Sequence, residues 1–176
     1  RNLNTVIFDK TGTLTLGEFR VVEMSVAEGV SEEEALRLAA GVESESEHPI
    51  ARGIVKTAEE RNIDVALVDG FRAVTGKGVA ASVEGVEYHV GGPALLKAEN
   101  TQVPEELRKA AEAAAGRGQA AIYLLRDGKA LAVFAVADAI REESREAIHA
   151  LHDRGIEVAM LTGDAQAVAD AVAAEL

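Results

Sequence analysis

The residues best suited to chemistry form the run DKTGTLT at positions 9–15, directly after the apolar stretch 6–8. A carboxylate at the end of a buried strand can attack phosphorus and become an aspartyl phosphate. Gly12 allows a tight turn, and Lys10 with the local backbone N–H groups offers positive potential to a transferring phosphoryl group. The run therefore predicts a covalent phosphoryl acceptor in which Asp9 is the nucleophile and Thr11 an adjacent polar residue.

A second polar group follows another apolar stretch. Thr162, Gly163 and Asp164 come directly after residues 156–161 and precede a predicted helix. Ligands of open α/β sheets bind beyond the carboxyl ends of strands, so Asp9 and Thr162 can converge although they are far apart in the chain. The Thr162 hydroxyl and the Gly163 N–H would then hold phosphoryl oxygens.

Composition limits the classes of protein that fit. The 176 residues are 48% apolar, which supports a real core, and the net charge of −12 argues against a nucleic-acid-binding surface. The absence of cysteine excludes disulfides and thiolate metal sites within this sequence. No stretch approaches the roughly 20 apolar residues of a membrane helix. Because the sequence begins almost inside its first strand and stops within a helical pattern, we expect an excised piece of a longer chain.

Local patterns predict alternating helices and strands. Ser31 and Glu34 form a capping box that opens a helix through Ala39. Glu84-Gly85 and Asp127-Gly128 are expected to be hairpin turns. Further helices are predicted over 49–61, 104–115, 141–154 and 165–176, and strands over 4–8, 71–74, 78–83, 86–90, 120–125, 129–136 and 156–161.

The order of these elements predicts an α/β protein with one domain nested inside another. The first strand and the final helix–strand–helix unit are expected to form a Rossmann-like domain, residues 1–18 and 136–176, incomplete at its C-terminus. Its apolar strands suggest a parallel sheet covered on both faces. An α+β domain, residues 19–135, is expected as an insertion.

Residues 9–15 resemble the phosphorylation motif of P-type ATPases, and MLTGD at 160–164 resembles a second segment of that family. Phosphatases of the related haloacid-dehalogenase superfamily usually have a second Asp two places after the nucleophile, as a general acid/base. Thr11 occupies that place here, and its hydroxyl cannot do this work at neutral pH. The resemblance therefore implies a slowly hydrolysed phosphoenzyme, with Asp9, Lys10, Thr11, Thr162, Gly163 and Asp164 as catalytic residues.

The inserted segment points to one class within that family. ESESEHPIA at 43–51 resembles the Ser-Glu-His-Pro motif of heavy-metal-transporting P-type ATPases, although a lone histidine is more often a surface residue. The resemblance implies that His48 stacks on or hydrogen-bonds adenine and that Glu43 accepts from its exocyclic amine. Gly76 and Gly78 would let the backbone approach the nucleotide, although a glycine-rich turn alone is a weak signal.

Two further segments also match the class. Gly91 belongs to VGGP at 90–93, where Gly92 stands in place of the Asn that many members of the class have. Residues 138–141, DAIR, resemble an Asp-x-x-Arg pattern at the hinge between the domains. Asp138 would contact ribose or the domain junction; the alternative is that Asp138 caps a helix and Arg141 is a surface charge.

Taken together, the resemblance implies the ATP-binding and phosphorylation region of a P-type ATPase that transports a heavy metal, with copper as the favoured ion. Its cofactors would be ATP and Mg²⁺, with the metal held by the Asp9 carboxylate and the Thr11 carbonyl. The parent would be an integral protein of the plasma or inner membrane, this region being cytoplasmic. Its partners would be the transported metal ion, bound by membrane helices outside this sequence, and the actuator domain of the same protein. The fragment itself is expected to be monomeric and nearly inactive in hydrolysis.

Two other functions remain open at this point. The first is a soluble haloacid-dehalogenase-type phosphatase or mutase with an inserted cap, against which Thr11 argues. The second is a regulatory module that binds nucleotide without chemistry.

Overall fold

The computed structural model describes residues 3–176 and divides the chain into two compact units. Among the described residues, the first unit comprises residues 3–18, Gly116–Gly118 and Asp138–Leu176, and the second comprises Phe19–Ala115 and Gln119–Ala137. Residues 1 and 2 of the predicted range 1–18 lie outside the described residues. Among residues 3–176, no helix combines the length and the apolar character that crossing a membrane requires.

Strands and helices alternate along the described chain. The strands are β1 (Thr5–Asp9), β2 (Thr15–Val26), β3 (Asp69–Val74), β4 (Gly78–Val83), β5 (Val86–Gly91), β6 (Ala120–Arg126), β7 (Lys129–Ile140) and β8 (Glu157–Leu161). The helices are α1 (Glu32–Glu43), α2 (Pro49–Glu60), α3 (Pro93–Ala98), α4 (Glu105–Gly116), α5 (Glu142–His152) and α6 (Gln166–Glu175). A tight turn, Lys10–Leu14, joins β1 to β2.

The first unit contains a two-stranded parallel sheet in which β1 pairs with β8. Asp9 is level with Leu161, so both strands end at the same edge. The parallel pairing agrees with the prediction, but the expectation of a sheet covered on both faces is wrong. Ile7 is 68% exposed and Leu161 66% exposed, because alternate residues of both strands face solvent.

The second unit contains a six-stranded sheet with the order β2-β7-β6-β5-β4-β3. One buried cluster joins α1 and α2 to the sheet, and Phe134 and Leu36 are among its fully buried side chains. A smaller cluster joins α3 and α4 to β6 and β7 through Leu95 and Leu107. Burial of this apolar surface is the main force that holds the unit together.

Several local predictions are confirmed. The Ser31 hydroxyl accepts from the Glu34 N–H at 3.1 Å, as a helix N-cap should. Asp127 and Gly128 have φ values of 49° and 70°, the left-handed pair that a two-residue hairpin turn requires. The predicted helices and the later strands all exist, with ends that differ by only a few residues.

Three features differ from expectation. The twelve-residue strand β2 and the short helix α3 were not predicted. Strand β7 continues to Ile140, so Asp138 lies inside a strand and Arg141 occupies the N-cap position of α5 without a side-chain capping bond. The interpretation of Asp138 as a helix cap is therefore wrong.

Candidate functional site

The Asp9 side chain lies at the carboxyl end of β1 and is exposed. Within residues 3–176 no hydrogen bond or ion pair engages its carboxylate. The chain then turns sharply: the Thr15 N–H donates to the Lys10 carbonyl, and Gly12 has a φ of 79°, which favours glycine. The turn leaves a free carboxylate at a strand end, as attack on an incoming electrophile requires.

Asp138 binds the segment that follows this turn. Its two carboxylate oxygens accept from the Thr15 hydroxyl at 2.6 Å and from the Gly17 N–H at 2.9 Å. Thr15 is fully buried, and its carbonyl accepts from Arg141 Nε at 3.0 Å. Hydrogen bonds to a charged group are stronger than neutral ones, so Asp138 and Arg141 fix the backbone beyond Asp9.

The Lys10 side chain is buried, with only 4% of the residue exposed. Its ammonium lies 2.5 Å from an Asp164 carboxylate oxygen and 3.9 Å from Asp138 Oδ2. The hydrogen bond from Lys10 lowers the pKa of the Asp164 carboxyl below its ordinary value. A buried charge needs partners, and these two carboxylates supply them. The positive charge of Lys10, which we expected to face a phosphoryl group, is therefore partly neutralised by the carboxylates of Asp164 and Asp138.

The loop after β8 reaches the same edge of the sheet as Asp9. Thr162 directly follows Leu161, the pairing partner of Asp9, and its hydroxyl oxygen accepts from the Asp164 N–H at 3.1 Å. A Cβ built on Gly163 would meet no atom within 4 Å, so its backbone is open to approach. The strand pairing thus brings the two sequence-distant polar groups to one edge.

A cleft of about 510 Å³ lies within the second unit. Its apolar lining includes residues from α2 and four strands, namely Ile50, Ala51, Val74, Val79, Val90 and Ile122. Five of the six residues predicted to bind nucleotide also line it, namely Glu43, His48, Gly76, Gly78 and Gly91. The sixth, Asp138, does not line this cleft. An apolar cleft with a few polar groups is typical of a small-molecule site.

Gly78 and Gly91 allow two neighbouring backbone segments of the cleft, the start of β4 and the end of β5, to approach each other closely. A Cβ on Gly78 would collide with the Val90 carbonyl oxygen, and one on Gly91 with the Lys77 carbonyl oxygen. Gly76 has a φ of 71° in the turn between β3 and β4. Gly92 differs, since the nearest atom to its Cβ would be 4.0 Å away. Gly78 and Gly91 are needed for backbone approach, whereas Gly92 is not.

Glu43 and His48 lie near each other in sequence but in different environments. Glu43 is only 7% exposed, and burial raises the pKa of its carboxyl to about 7, against the smaller lowering effect of a hydrogen bond from Ser46. His48 caps α2, with its Nδ1 accepting from the Ile50 N–H at 3.2 Å. In a neutral imidazole that bond leaves the proton on Nε2, which can donate to a ligand.

The family profile of the haloacid dehalogenase-like hydrolases matches residues 3–176. The chain belongs to this family.

Among its relatives, this haloacid dehalogenase-like chain is 44% identical to the copper-exporting P-type ATPase B of Archaeoglobus fulgidus, over 100% of the chain and 25% of that protein. It is 39% identical to the probable copper-exporting P-type ATPase V of Mycobacterium tuberculosis, over 100% of the chain and 23% of that protein. The chain therefore spans about a quarter of the length of these curated relatives.

Solved structures agree with the haloacid dehalogenase-like fold. A crystal structure of a zinc-transporting PIB-type ATPase matches with a TM-score of 0.84 and 32% identity, over 99% of this chain and 28% of that one. The catalytic domain of the CPx-ATPase CopB-B matches with a TM-score of 0.57 and 26% identity, over 98% and 58%. The predicted resemblance to heavy-metal P-type ATPases is confirmed.

Two residues of this haloacid dehalogenase-like site were missed at the level of sequence. They are Thr15, whose buried hydroxyl binds Asp138, and Ser144, whose hydroxyl donates to the Leu14 carbonyl at 3.0 Å. Both support the turn after Asp9 by contacts across more than a hundred residues of sequence, as the separations of 123 and 130 show. In the sequence, the only indication of a role for either residue was that Thr15 ends the run DKTGTLT at positions 9–15.

Proposed function

We propose that this chain is the ATP-binding and phosphorylation region of a heavy-metal-transporting, and specifically copper-exporting, P-type ATPase. The first unit would be the phosphorylation domain, assigned to residues 1–18 and 136–176, and the second the nucleotide-binding domain, residues 19–135. The parent would lie in the plasma or inner membrane, with this region on the cytoplasmic side. The transported ion and the actuator domain of the same protein would be its partners.

One observation carries the proposal: the parallel register of β1 with β8, in which Asp9 is level with Leu161. It supports a role for Asp9 as nucleophile, because Thr162 and Gly163 follow at the same edge. Their hydroxyl and N–H groups are suited to phosphoryl oxygens. Thr11 offers no carboxylate for activating water, which favours a persistent aspartyl phosphate over rapid hydrolysis.

The cleft supports ATP as the phosphoryl donor. Glu43 would accept from the adenine amine, and the free His48 Nε2 would donate to the base or the ring would stack on it. Gly76, Gly78 and Gly91 would let backbone approach the nucleotide, and Asp138 would act at ribose or at the hinge. Nucleotide-dependent conformational change of the related CopB-B catalytic domain agrees with this assignment.

Magnesium fits the residues at the end of β1. Residues 3–176 contain no cluster of three or more His, Asp or Glu side chains able to hold a metal ion. Mg²⁺ at phosphoryl-transfer sites is, however, usually bound by one or two protein ligands together with substrate phosphates and water. The Asp9 carboxylate and the Thr11 carbonyl would be those ligands. When bound, the ion would neutralise developing charge on the phosphoryl oxygens.

The decisive test is chemical detection of an acyl phosphate on the parent polypeptide. After brief incubation with radiolabelled ATP, magnesium and copper, we expect an acid-stable, hydroxylamine-labile label that Asp9→Asn abolishes. Robust hydrolysis of small phosphomonoesters, lost in Asp9→Asn, would instead indicate a phosphatase. ATP binding without any label would indicate a module that binds nucleotide without chemistry.

The nucleotide assignment has its own matched pair of variants in the 176-residue chain. Gly91→Ala forces a methyl group against the Lys77 backbone, and we expect ATP affinity in calorimetry to fall at least about tenfold. Gly92→Ala adds the same methyl group where the nearest protein atom is 4.0 Å away, so the affinity for ATP should remain close to that of the unaltered chain. Gly92 also lines the cleft, so the deciding result is that of Gly91→Ala: an ATP affinity equal to that of the unaltered chain would contradict the assignment of this cleft.

A further inference from the structure

Helix α2 extends from the cleft to an edge strand within the second unit. His48 caps its first turn, and Ile50 and Ala51 line the cleft. Thr57 lies near its other end, about 13 Å further along the axis at 1.5 Å per residue. Thr57 is only 5% exposed, so its hydroxyl is held inside the protein rather than in solvent.

The Thr57 hydroxyl makes two buried hydrogen bonds. It accepts from the Val21 N–H of β2 at 3.0 Å and donates to the Gly53 carbonyl, one helical turn earlier, at 2.7 Å. Strand β2 is one of the two edge strands of the six-stranded sheet, so none of the other described strands is paired with its outer side. Thr57 therefore satisfies a backbone donor that an edge strand would otherwise leave exposed.

Two neighbouring contacts hold the same short stretch of β2. A Cβ on Gly53 would lie 2.7 Å from the Phe19 carbonyl oxygen, so the helix approaches the strand backbone directly. Arg20 Nε lies 3.0 Å from Glu60 Oε1. Three consecutive residues of β2 are thus each contacted by α2. Closely packed elements of this kind move together rather than deform separately.

We propose that Thr57 is a positioning residue that transmits nucleotide occupancy of the cleft, through α2, to strand β2. This inference rests on the proposed function, because it requires nucleotide at the first turn of α2. Strand β2 continues along the chain to Thr15, which binds Asp138 and directly follows the turn after Asp9. Thr57 touches neither the cleft nor the reacting groups, so it acts only through the strand that it holds.

Nuclear magnetic resonance of the 176-residue chain can test this directly, with the β,γ-imido analogue of ATP as the probe. In the unaltered protein we expect saturating nucleotide to shift the amide resonances of Phe19, Arg20 and Val21 together with those of the cleft. In Thr57→Val the shifts at these three residues should fall to the level of amides remote from the cleft. The dissociation constant should stay within about twofold, as expected for a change that makes no ligand contact.

Two further variants separate transmission from general damage. Thr57→Ser keeps the hydroxyl and should restore the Val21 shift. Thr101→Val is the matched control, because the buried Thr101 hydroxyl has no hydrogen-bond partner among the described residues, and it should leave every β2 shift unchanged.

The possible outcomes are distinguishable. Cleft shifts without β2 shifts in the unaltered protein, or undiminished β2 shifts in Thr57→Val, would overturn the role of Thr57 and leave the proposed function intact. A loss in Thr57→Val that Thr57→Ser does not reverse would also overturn it. Absence of any nucleotide-induced shift would remove the proposed function together with the inference.

Discussion

Both apolar clusters lie wholly within the second unit, where side chains such as Phe134, Leu124 and Val90 are fully buried. In the first unit the buried residues include Lys10, Thr15 and Ser144, and the exposed ones include Ile7 and Leu161. One unit is therefore held mainly by apolar burial. The other is held at its candidate site by hydrogen bonds and ion pairs between distant segments.

This difference matches what the two candidate sites need. A cleft for a planar base benefits from apolar walls of fixed shape, which a packed core provides. A phosphoryl-transfer site needs charged and polar groups held at definite positions, and those groups require partners of their own. We therefore expect substitutions in the second unit to act mainly through lost apolar burial, and those at the site in the first unit through lost hydrogen bonds and ion pairs.

The largest effect is expected from removing core volume in the second unit. Phe134→Ala leaves a cavity beside the six-stranded sheet and should lower the free energy of unfolding by about 4 kcal/mol. Urea denaturation followed by circular dichroism measures this. Leu67→Ala is the control, because Leu67 is 92% exposed and its truncation should stay within about 0.5 kcal/mol. A similar loss for both would contradict the core assignment.

A somewhat smaller effect should come from the one strongly shifted carboxyl group of the cleft. Burial raises the pKa of Glu43 from 4.5 to about 7, so the folded state holds this proton more tightly than the unfolded state. The contribution of Glu43 to the free energy of unfolding should therefore be lost as pH rises from 4.5 to about 7. The total is up to about 3 kcal/mol, at 1.36 kcal/mol for each unit of pKa.

Glu43→Gln provides the matched comparison, because glutamine keeps the shape and cannot ionise. Urea midpoints of both proteins, measured at about pH 5 and about pH 8, isolate this group from the other carboxylates. The variant should gain stability relative to the parent as pH rises. A difference that does not depend on pH would show that Glu43 is not protonated in the folded cleft.

The smallest of the three effects is expected in the first unit. Asp138→Ala removes the acceptor of the Thr15 hydroxyl and the Gly17 N–H, and should lower stability by about 2 kcal/mol. It should also increase hydrogen exchange at the Gly17 amide. Glu146→Ala, an exposed acidic residue on α5, is the control for lost charge. Unchanged exchange at Gly17 would mean that Asp138 does not fix this segment.

Sequence reasoning succeeded where the deciding interactions are local. The capping bond of Ser31 and the left-handed pair Asp127-Gly128 depend on neighbours within a few positions, so short sequence patterns predict them. Asp9 and Thr162 could be expected at one edge because parallel strands place their ends together. The burial of β1 and β8 was overestimated because apolar runs do not reveal how many elements cover a sheet.

The rest depends on contacts between remote residues. Strand β2 lacks a regular alternation of apolar and polar residues, and its neighbour in the sheet, β7, begins only at Lys129. The pairing of Lys10 with Asp164 and the bond of Thr15 to Asp138 likewise join opposite parts of the chain. No local pattern encodes such partners, so the supporting residues of the site emerged only from the structure.

The pairing of Lys10 has an electrostatic consequence for whatever approaches Asp9. The three carboxylates of Asp9, Asp138 and Asp164 outnumber the Lys10 ammonium and the Arg141 guanidinium, the two cationic groups bound at this turn among residues 3–176. The surroundings of the turn are therefore anionic overall, and Coulomb repulsion opposes a bare polyphosphate or a free inorganic phosphate ion. A nucleotide complexed with a divalent cation arrives with much of its charge already neutralised. We therefore expect the ion pairs that anchor Lys10 to disfavour an anion that arrives without a counterion.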